Sequence, residues 1–163
     1  MLSPTGPETS RVNQMIITRM SRNECIDVLS KARMGHLACC RDAQPYVVPI
    51  FYAYSEDHAY SFTMPGQKLD WMRLNSRVCL QVDHVTDGGW ESVVATGRFE
   101  ELPDRIGLKQ ERDHAWQLLS RHVNWWEPGA LRPDPPALAD HSAHVFYRVL
   151  LEEVSGRAAR QEV

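Results

Sequence analysis

The segment RVCLQVDHV, residues 77–85, alternates apolar and polar side chains with the two-residue period of a β-strand. Val78, Leu80 and Val82 fall on one face, and charged or amide side chains fall on the other. Similar short segments recur along the chain and are separated by turn signals such as RDAQ, SEDH and TDGG. This pattern predicts an antiparallel sheet built mainly from hairpins.

The whole chain can be divided into predicted elements in the same way. A capping box, S-x-x-E, marks the start of the first helix at Ser21 and Glu24. Because closure of a sheet removes its exposed edges, six strands in a small domain predict a mainly β, α+β fold: a closed or nearly closed antiparallel barrel with flanking helices. The predicted strands are 36–40, 45–54, 59–63, 77–85, 90–102 and 144–157, and Gly97 within 90–102 indicates a bulge or a barrel bend. The predicted helices are 21–33, 65–74 and 104–122, and the proline-rich residues 127–140 are predicted as an irregular loop.

Length and charge favour one ordinary globular domain. The chain has 163 residues, 43% of them hydrophobic, and a formal net charge of −3, so the composition does not favour nucleic acid or an anionic membrane as a partner. Residues 1–14 are predicted as a disordered leader that lacks the basic and apolar regions of a secretory signal. Residues 15–157 are predicted as a single domain and residues 158–163 as a C-terminal tail. We therefore expect a cytoplasmic protein.

Cysteines and histidines form no recognisable metal-binding pattern. Cys25, Cys39, Cys40 and Cys79 fit no C-x-x-C spacing and are expected to be free, mostly buried thiols. The two histidines of HSAH, residues 141–144, stand three apart without a cysteine or acidic partner at ligand spacing. We expect no metal site.

The stretch SFTMPGQKLDWMR, residues 61–73, begins like a strand and ends like a helix. Thr63 offers a hydroxyl, Gly66 an approachable main chain and Lys68 a positive charge, all close to the point where the helix begins. Free N–H groups and the dipole at a helix start favour a bound anion, so the stretch is a candidate phosphate site. Arg73 could add charge or be solvated. The alternative is a solvated helix N-terminus with a surface lysine, because Gly-x-Lys is too short to be a P-loop.

Pro49, in PYVVPI at residues 45–50, constrains strand pairing. Proline has no N–H to donate to a central ladder, so we expect the pairing to be interrupted near it. An interrupted ladder would leave main-chain N–H and C=O groups free to bind a ligand. The alternative is an edge strand that tolerates a proline.

Four segments, taken in order, resemble the flavin-binding split-barrel superfamily. The similarity is greatest to the pyridoxamine 5′-phosphate oxidase-like proteins that are grouped with nitroimidazole-resistance proteins, and it covers about residues 20–157. It implies a six-stranded split barrel, a homodimer and FMN bound at the subunit interface. The four segments are GHLACCRDAQPYVVPIFYAY, YSFTMPGQKLDWMRLNSRVCLQVD, WESVVATGRFEEL and FYRVLLEEVSGRAA.

The resemblance also implies which parts of the chain meet the cofactor. Main-chain groups of residues 47–50 would lie along the isoalloxazine ring, and the stretch 61–68 would hold the phosphate, with Thr63 and Lys68 as the strongest candidates. The expected cofactor-binding residues are Val47, Val48, Pro49, Ile50, Ser61, Phe62, Thr63, Lys68, Ser92 and Trp125.

Several of these positions have a structural alternative. Ser92 matches a position where relatives carry a polar group near the flavin, but it could be an outward-facing strand serine. Trp125 and Trp126 could be core or interface anchors, or they could form an aromatic lid over the flavin of the partner subunit. Arg157 matches a C-terminal arginine of the superfamily that could reach the cofactor, or it could be an ordinary terminal charge.

One position departs from the family pattern. Many nitroimidazole-resistance relatives carry a histidine in the strand before the phosphate loop, and the matching residue here is Phe62, which cannot relay a proton. The sequence therefore does not support nitroimidazole reduction through that histidine. It also does not support pyridoxamine 5′-phosphate oxidation, because the substrate-binding residues of true oxidases have no match.

Three functions remain open at this stage. The leading one is an FMN-dependent oxidoreductase of unknown small-molecule substrate. The second is a non-enzymatic module that binds or stores flavin or haem, since the scattered histidines His36, His58 and His84 leave haem open although no pair marks an axial site. The third is a reductase that uses the deazaflavin F420.

Overall fold

The computed structural model describes residues 14–122 and 144–161. The strands are β1 Met15–Arg19, β2 Met34–Arg41, β3 Gln44–Phe51, β4 Ala53–Ser55, β5 His58–Thr63, β6 Arg77–Thr86, β7 Gly89–Glu101 and β8 Val145–Gln161. The helices are α1 Arg22–Lys31, α2 Gln67–Leu74 and α3 Lys109–Leu119. In this part of the chain, none of the helices has the length and apolar character needed to cross a membrane.

All strands belong to one antiparallel sheet that curls until its two ends meet. The strand order is β3-β2-β6-β7-β8-β5-β4, with β1 added on the last part of β8. β3 and β4 stand at opposite ends of this order, yet only Tyr52 separates them in the chain. The Ser61 hydroxyl of β5 donates a hydrogen bond of 2.6 Å to the Phe51 carbonyl of β3, which ties the two ends together. The predicted split-barrel architecture, mainly β with flanking helices, is confirmed.

Two apolar clusters fill the molecule. The larger lies inside the curled sheet and includes Leu29 of α1 and Leu69 of α2. The smaller lies between β5, β8 and α3, where Phe62 and Phe146 pack against Leu118. α1 and α2 therefore cover the inside of the curled sheet, whereas α3 covers its outer face at β5 and β8.

Local sequence signals place the helix start and the turns as predicted. The Ser21 hydroxyl accepts a hydrogen bond from the Glu24 N–H, and the Glu24 carboxylate accepts one from the Ser21 N–H at 2.7 Å, so the capping box is present. Asp42 and Ala43 have φ values of 50° and 63°, the left-handed pair of a two-residue hairpin turn. The predicted bulge at Gly97 is also present, and a Cβ there would come within 2.0 Å of the Leu150 carbonyl oxygen.

The number and bounds of the strands differ from prediction because pairing over long sequence distances decides them. β1 is exposed at every residue, so it has no alternation to detect and is a strand only because β8 pairs with it. The predicted strand 45–54 divides at Tyr52, where the chain passes from one end of the sheet to the other. The sheet therefore has eight strands rather than six.

Three other predicted segments are changed or cannot be compared. The last strand continues to Gln161 rather than ending at 157, so residues 158–161, expected as a tail, are paired with β1. The third helix is limited to Lys109–Leu119 rather than 104–122. The loop predicted at 127–140 lies outside the described residues.

Candidate functional site

The main chain of β3 presents polar groups along an open edge. The Tyr52 N–H donates to the Arg33 carbonyl at 2.9 Å, which continues the β2–β3 register by one residue pair. Hydrogen-bonded and non-bonded pairs alternate in an antiparallel ladder. The N–H and C=O groups of even-numbered β3 residues therefore bond to β2, and those of odd-numbered residues point away from β2. The N–H and C=O of Val47 and the C=O of Pro49 therefore lie along the free edge of the strand.

The pairing around Pro49 corrects one prediction. The β2–β3 ladder runs without a break along the whole of β3, so the expected interruption near Pro49 is wrong. Pro45 and Pro49 both occupy positions whose main-chain groups point away from β2, so the missing N–H of proline removes no ladder hydrogen bond. The free main-chain groups come from the strand edge and not from a break in pairing, so the alternative of an edge strand that tolerates a proline is confirmed.

The side chains of the four predicted β3 residues divide between solvent and core. Val47 is 60% exposed and Pro49 is also exposed, whereas Ile50 is only 4% exposed and belongs to the main core. Val48 is half-buried and packs against that core. A ligand at this edge would meet the main chain and the Val47 and Pro49 side chains.

Lys68 is a half-buried cation that has no partner in the described part of the chain. It forms neither an ion pair nor a hydrogen bond with any residue of 14–122 or 144–161. Loss of solvent lowers the pKa of its ammonium group, and the neighbouring Cys39 thiol opposes this shift only in part. A partly desolvated ammonium without a counter-charge strongly favours a bound anion.

The start of α2 adds further attraction for an anion beside Lys68. Gly66 is the N-cap, and no side chain hydrogen-bonds to the first N–H groups of the helix. A Cβ at Gly66 would meet no atom within 4 Å, so this end of the helix is open to a ligand. Free N–H groups and the helix dipole therefore act at the open start of α2, whose second residue is Lys68, and both suit a phosphate.

The hydroxyls of Ser61 and Thr63 are buried and both donate to main-chain carbonyls. Ser61 donates to Phe51, as described above, and Thr63 donates to Met64 at 3.0 Å. Ser61 thus holds β5 against β3, whereas Thr63 would have to rotate its hydroxyl to donate to a phosphate. Thr63 is five residues before Lys68 on the same strand-to-helix corner, so the structure retains it as a candidate.

Phe62 points to the other side of β5. Its ring lies 6.0 Å from that of Phe146 and 5.9 Å from that of His144, within the smaller core beneath α3. The Phe62 side chain is therefore separated by β5 itself from Ser61 and Thr63, because successive side chains of a strand point to opposite faces. Only its main chain can contribute to a site near Lys68.

Two other predicted positions are not brought to Lys68. Arg73 forms two hydrogen bonds of 2.8 Å with Glu101, so its charge holds α2 against the end of β7. Ser92 lies in β7 five residues before Gly97, which is level with Cys39 in the sheet, so it is roughly 16 Å along the strand from that neighbour of Lys68 at about 3.3 Å per residue. It accepts a hydrogen bond from Gln81 at 3.2 Å.

The remaining predicted residues are either distant or cannot be placed. Arg157 is the cross-strand neighbour of Ser92 and donates to the adjacent Gly156 carbonyl, so it belongs to that distant end of the sheet. Trp125 and Trp126 lie outside the described residues.

All four cysteines are free thiols, as predicted, but only two are buried. Burial raises the pKa of the Cys39 thiol, and the Lys68 charge lowers it by a smaller amount. Cys40 and Cys79 are half-buried and lie on the outer face of the sheet. Within the described ranges, no group of three or more His, Cys, Asp or Glu side chains is arranged to hold a metal ion.

Two features of the site were missed by the sequence prediction. Tyr46 of β3 and Trp71 of α2 form an aromatic pair with ring centroids 5.6 Å apart, and the three-residue spacing of Lys68 and Trp71 was an available signal for it. Tyr147 of β8 is fully buried, and its hydroxyl has no hydrogen-bond partner among the described residues. The hydroxyl of the paired residue Ser61 donates to the main chain. Burial raises the pKa of Tyr147, and the Ser61 hydroxyl lowers it by a smaller amount.

Comparison with known proteins places this geometry in a family. The family model of pyridoxamine 5′-phosphate oxidase matches residues 21–158. An uncharacterized protein of Rhizobium meliloti (strain 1021) is 51% identical over 146 residues, which cover 89% of this chain and 97% of that protein.

Solved structures agree with the same fold. An FAD-binding protein of Mesorhizobium loti is 55% identical with a TM-score of 0.74, and the match covers 88% of this chain and 98% of that one. A candidate 5-nitroimidazole antibiotic resistance protein of Bacteroides thetaiotaomicron has a TM-score of 0.71 and covers 98% of both chains at 17% identity, which supports the fold alone. With a family match across almost the whole described domain, the chain belongs to the pyridoxamine 5′-phosphate oxidase family.

Proposed function

We propose that the protein binds a flavin, with the phosphate of the FMN unit at Lys68 and the isoalloxazine ring along the open edge of β3. The observation that carries this proposal is Lys68, a half-buried ammonium with no described partner beside an uncapped helix start. Two kinds of group that flavin recognition needs, an anion site and a row of main-chain donors and acceptors, occur on neighbouring elements.

The choice between FMN and FAD is not decided by the phosphate site. The sequence predicts FMN, whereas the 55% identical Mesorhizobium loti protein is described as FAD-binding. FAD contains the FMN unit, so the same lysine and strand edge accommodate the shared part of either molecule. This relative supports a flavin in general.

Each residue has a defined task in this proposal. The Lys68 ammonium neutralises phosphate charge and recovers the hydrogen bonds that it lost on burial. The N–H of Val47 donates to a ring acceptor, and the outward carbonyls of β3 accept from the ring N–H. A bound flavin supplies electron or hydride transfer, and we propose an oxidoreductase acting on a small molecule.

We also propose that the protein is a homodimer with the flavin at the subunit interface. Support comes from a row of small, uncharged side chains on the outer face of the sheet, beginning at the β3 edge. The row crosses four strands in register through Val47, Ala38, Cys79 and Thr96. Multi-angle light scattering should give twice the chain mass, and Ala38→Arg should give the single mass. A wild-type monomer at micromolar concentration would contradict the dimer.

Titration with three flavins tests the binding proposal. FMN should bind more tightly than riboflavin, which lacks the phosphate, and the purified protein should show a flavin absorption spectrum. A colourless protein that takes up neither FMN nor FAD would refute flavin binding. If flavin binds but NADH and NADPH never reduce it and common acceptors never reoxidise it, a binding or storage role replaces the enzymatic one.

A further inference from the structure

The Lys68 side of α2 lies over one particular rung of the β2–β3 ladder. Lys68 and Trp71 are three residues apart, so they share a face of the helix. Lys68 lies near Cys39, whose thiol pKa its positive charge lowers, and Trp71 contacts Tyr46. Cys39 and Tyr46 are directly opposite each other across the two strands. The aromatic pair and the cation therefore lie over the same rung of the ladder.

The aromatic pair is only half-buried although it borders the main core. The two rings are inclined at 58° to each other, and their inner sides pack against the core residues. Neither the Tyr46 hydroxyl nor the Trp71 indole N–H has a hydrogen-bond partner among the described residues. A tryptophan usually finds a partner for its N–H when it is buried in a core, so the exposed side of this pair is available to a ligand.

We propose that the Tyr46–Trp71 pair is the subsite for the adenine of FAD and makes the protein prefer FAD to FMN. This rests on the proposed binding of the FMN phosphate at Lys68. From that phosphate, FAD continues through a second phosphate and a ribose to a flat aromatic base. Trp71 lies three residues, about 4.5 Å along the helix axis, beyond Lys68, so the base meets an aromatic face a short distance from the phosphate.

The chemistry of the pair suits a nucleobase. An aromatic side chain attracts a base by stacking, and the strength of that contact is largely independent of base identity. The hydroxyl of Tyr46 and the indole N–H of Trp71, which have no partner in ranges 14–122 and 144–161, can also bond to the ring nitrogens or the ribose. FMN ends at its phosphate and would leave this surface in water.

Calorimetric titration of wild-type protein, Trp71→Leu and Trp71→Phe with FAD and with FMN tests the proposal. Base–aromatic stacking is worth roughly 1–3 kcal/mol, so Trp71→Leu should weaken FAD binding by about 5- to 150-fold. FMN binding should be unchanged, which also shows that the variant is folded. Trp71→Phe keeps an aromatic face and should retain most of the affinity for FAD.

Trp116→Leu is the matched control, because it removes another half-buried tryptophan from α3, which packs against β5, β8 and β4. It should leave the ratio of FAD to FMN affinity unchanged. Equal losses of FAD and FMN in Trp71→Leu, or equal binding of FAD and FMN by the wild type, would overturn the adenine subsite while flavin binding stands. If the wild type bound neither flavin, both the subsite and the proposed function would be wrong.

Discussion

Replacing Lys68 with methionine separates the cost of burying its ammonium group from the use of that group. Without a ligand, the charge is partly desolvated and has no described partner. Methionine keeps most of the apolar stem and removes the charge. We therefore expect the free energy of unfolding of the flavin-free protein to stay the same or rise, whereas the affinity for FMN falls.

The size of the affinity change follows from the interaction that is lost. A hydrogen bond to a charged group contributes about 1.5–3 kcal/mol, so FMN should bind roughly 10- to 150-fold more weakly to Lys68→Met. Riboflavin has no phosphate and should bind equally to both proteins. Flavin fluorescence titration gives the affinities, and urea denaturation of the flavin-free proteins gives the free energies of unfolding.

The chain offers a matched control, since only Lys31, Lys68 and Lys109 are lysines. Lys109 is exposed at the start of α3, and Lys109→Met should change neither FMN affinity nor stability. The reasoning fails if Lys68→Met weakens riboflavin as much as FMN, or if it strongly destabilises the flavin-free protein. Either result would show that the ammonium group supports the fold rather than a phosphate.

Three further outcomes can be measured by denaturation. Because burial lowers the pKa of Lys68, the unfolded chain binds more protons between that value and the ordinary lysine pKa of about 10.4; the free energy of unfolding should rise with pH there, and Lys68→Met should lack this rise. Gly97→Ala should destabilise by about 3 kcal/mol or more, since its Cβ would overlap a main-chain carbonyl of β8, whereas Gly66→Ala, with open space around it, should cost about 1 kcal/mol or less. Tyr147→Phe removes a buried hydroxyl without a described partner and should stabilise by about 1 kcal/mol, while Tyr52→Phe loses a 2.6 Å hydrogen bond to α1 and should destabilise by about that amount. Equal signs for the two tyrosine variants would contradict the assigned hydrogen bonding.

Local signals in the sequence predict the elements whose neighbours lie close in the chain. The hairpin β2–β3, the capping box at Ser21 and the bulge at Gly97 each depend on a few adjacent residues, and all are found. β1 and the end of β8 depend on each other across most of the chain, so neither could be recognised alone. The break at Tyr52 also depends on distant pairing. β3 and β4 pair at opposite ends of the sheet, but they are consecutive in the chain and look like one strand in the sequence.

The parts of the candidate site that follow from the order of elements in the chain were predictable. The parts that depend on the direction in which a side chain points were not. The corner containing Thr63 and Lys68 follows directly from a strand that runs into a helix. The direction of Phe62 and the pairing of Arg73 with Glu101 depend on which elements pack on each side. The free main-chain groups at Pro49 were expected from a break in strand pairing, which is absent. The register of the whole hairpin decides whether the N–H and C=O groups of a β3 residue point toward β2 or away from it.

The position of β8 in the sheet has a consequence for how the protein is made. β8 pairs with β7, β5 and β1, so the last described strand of the chain lies in the interior of the strand order. Thr18 and Ala158, which are hydrogen-bonded at 3.4 Å, stand 140 positions apart in sequence. A growing polypeptide can form the hairpin β2–β3, but β5 and β1 lack their common neighbour until residues 145–161 have left the ribosome. Folding should therefore be slow, as expected for sheets dominated by distant pairings.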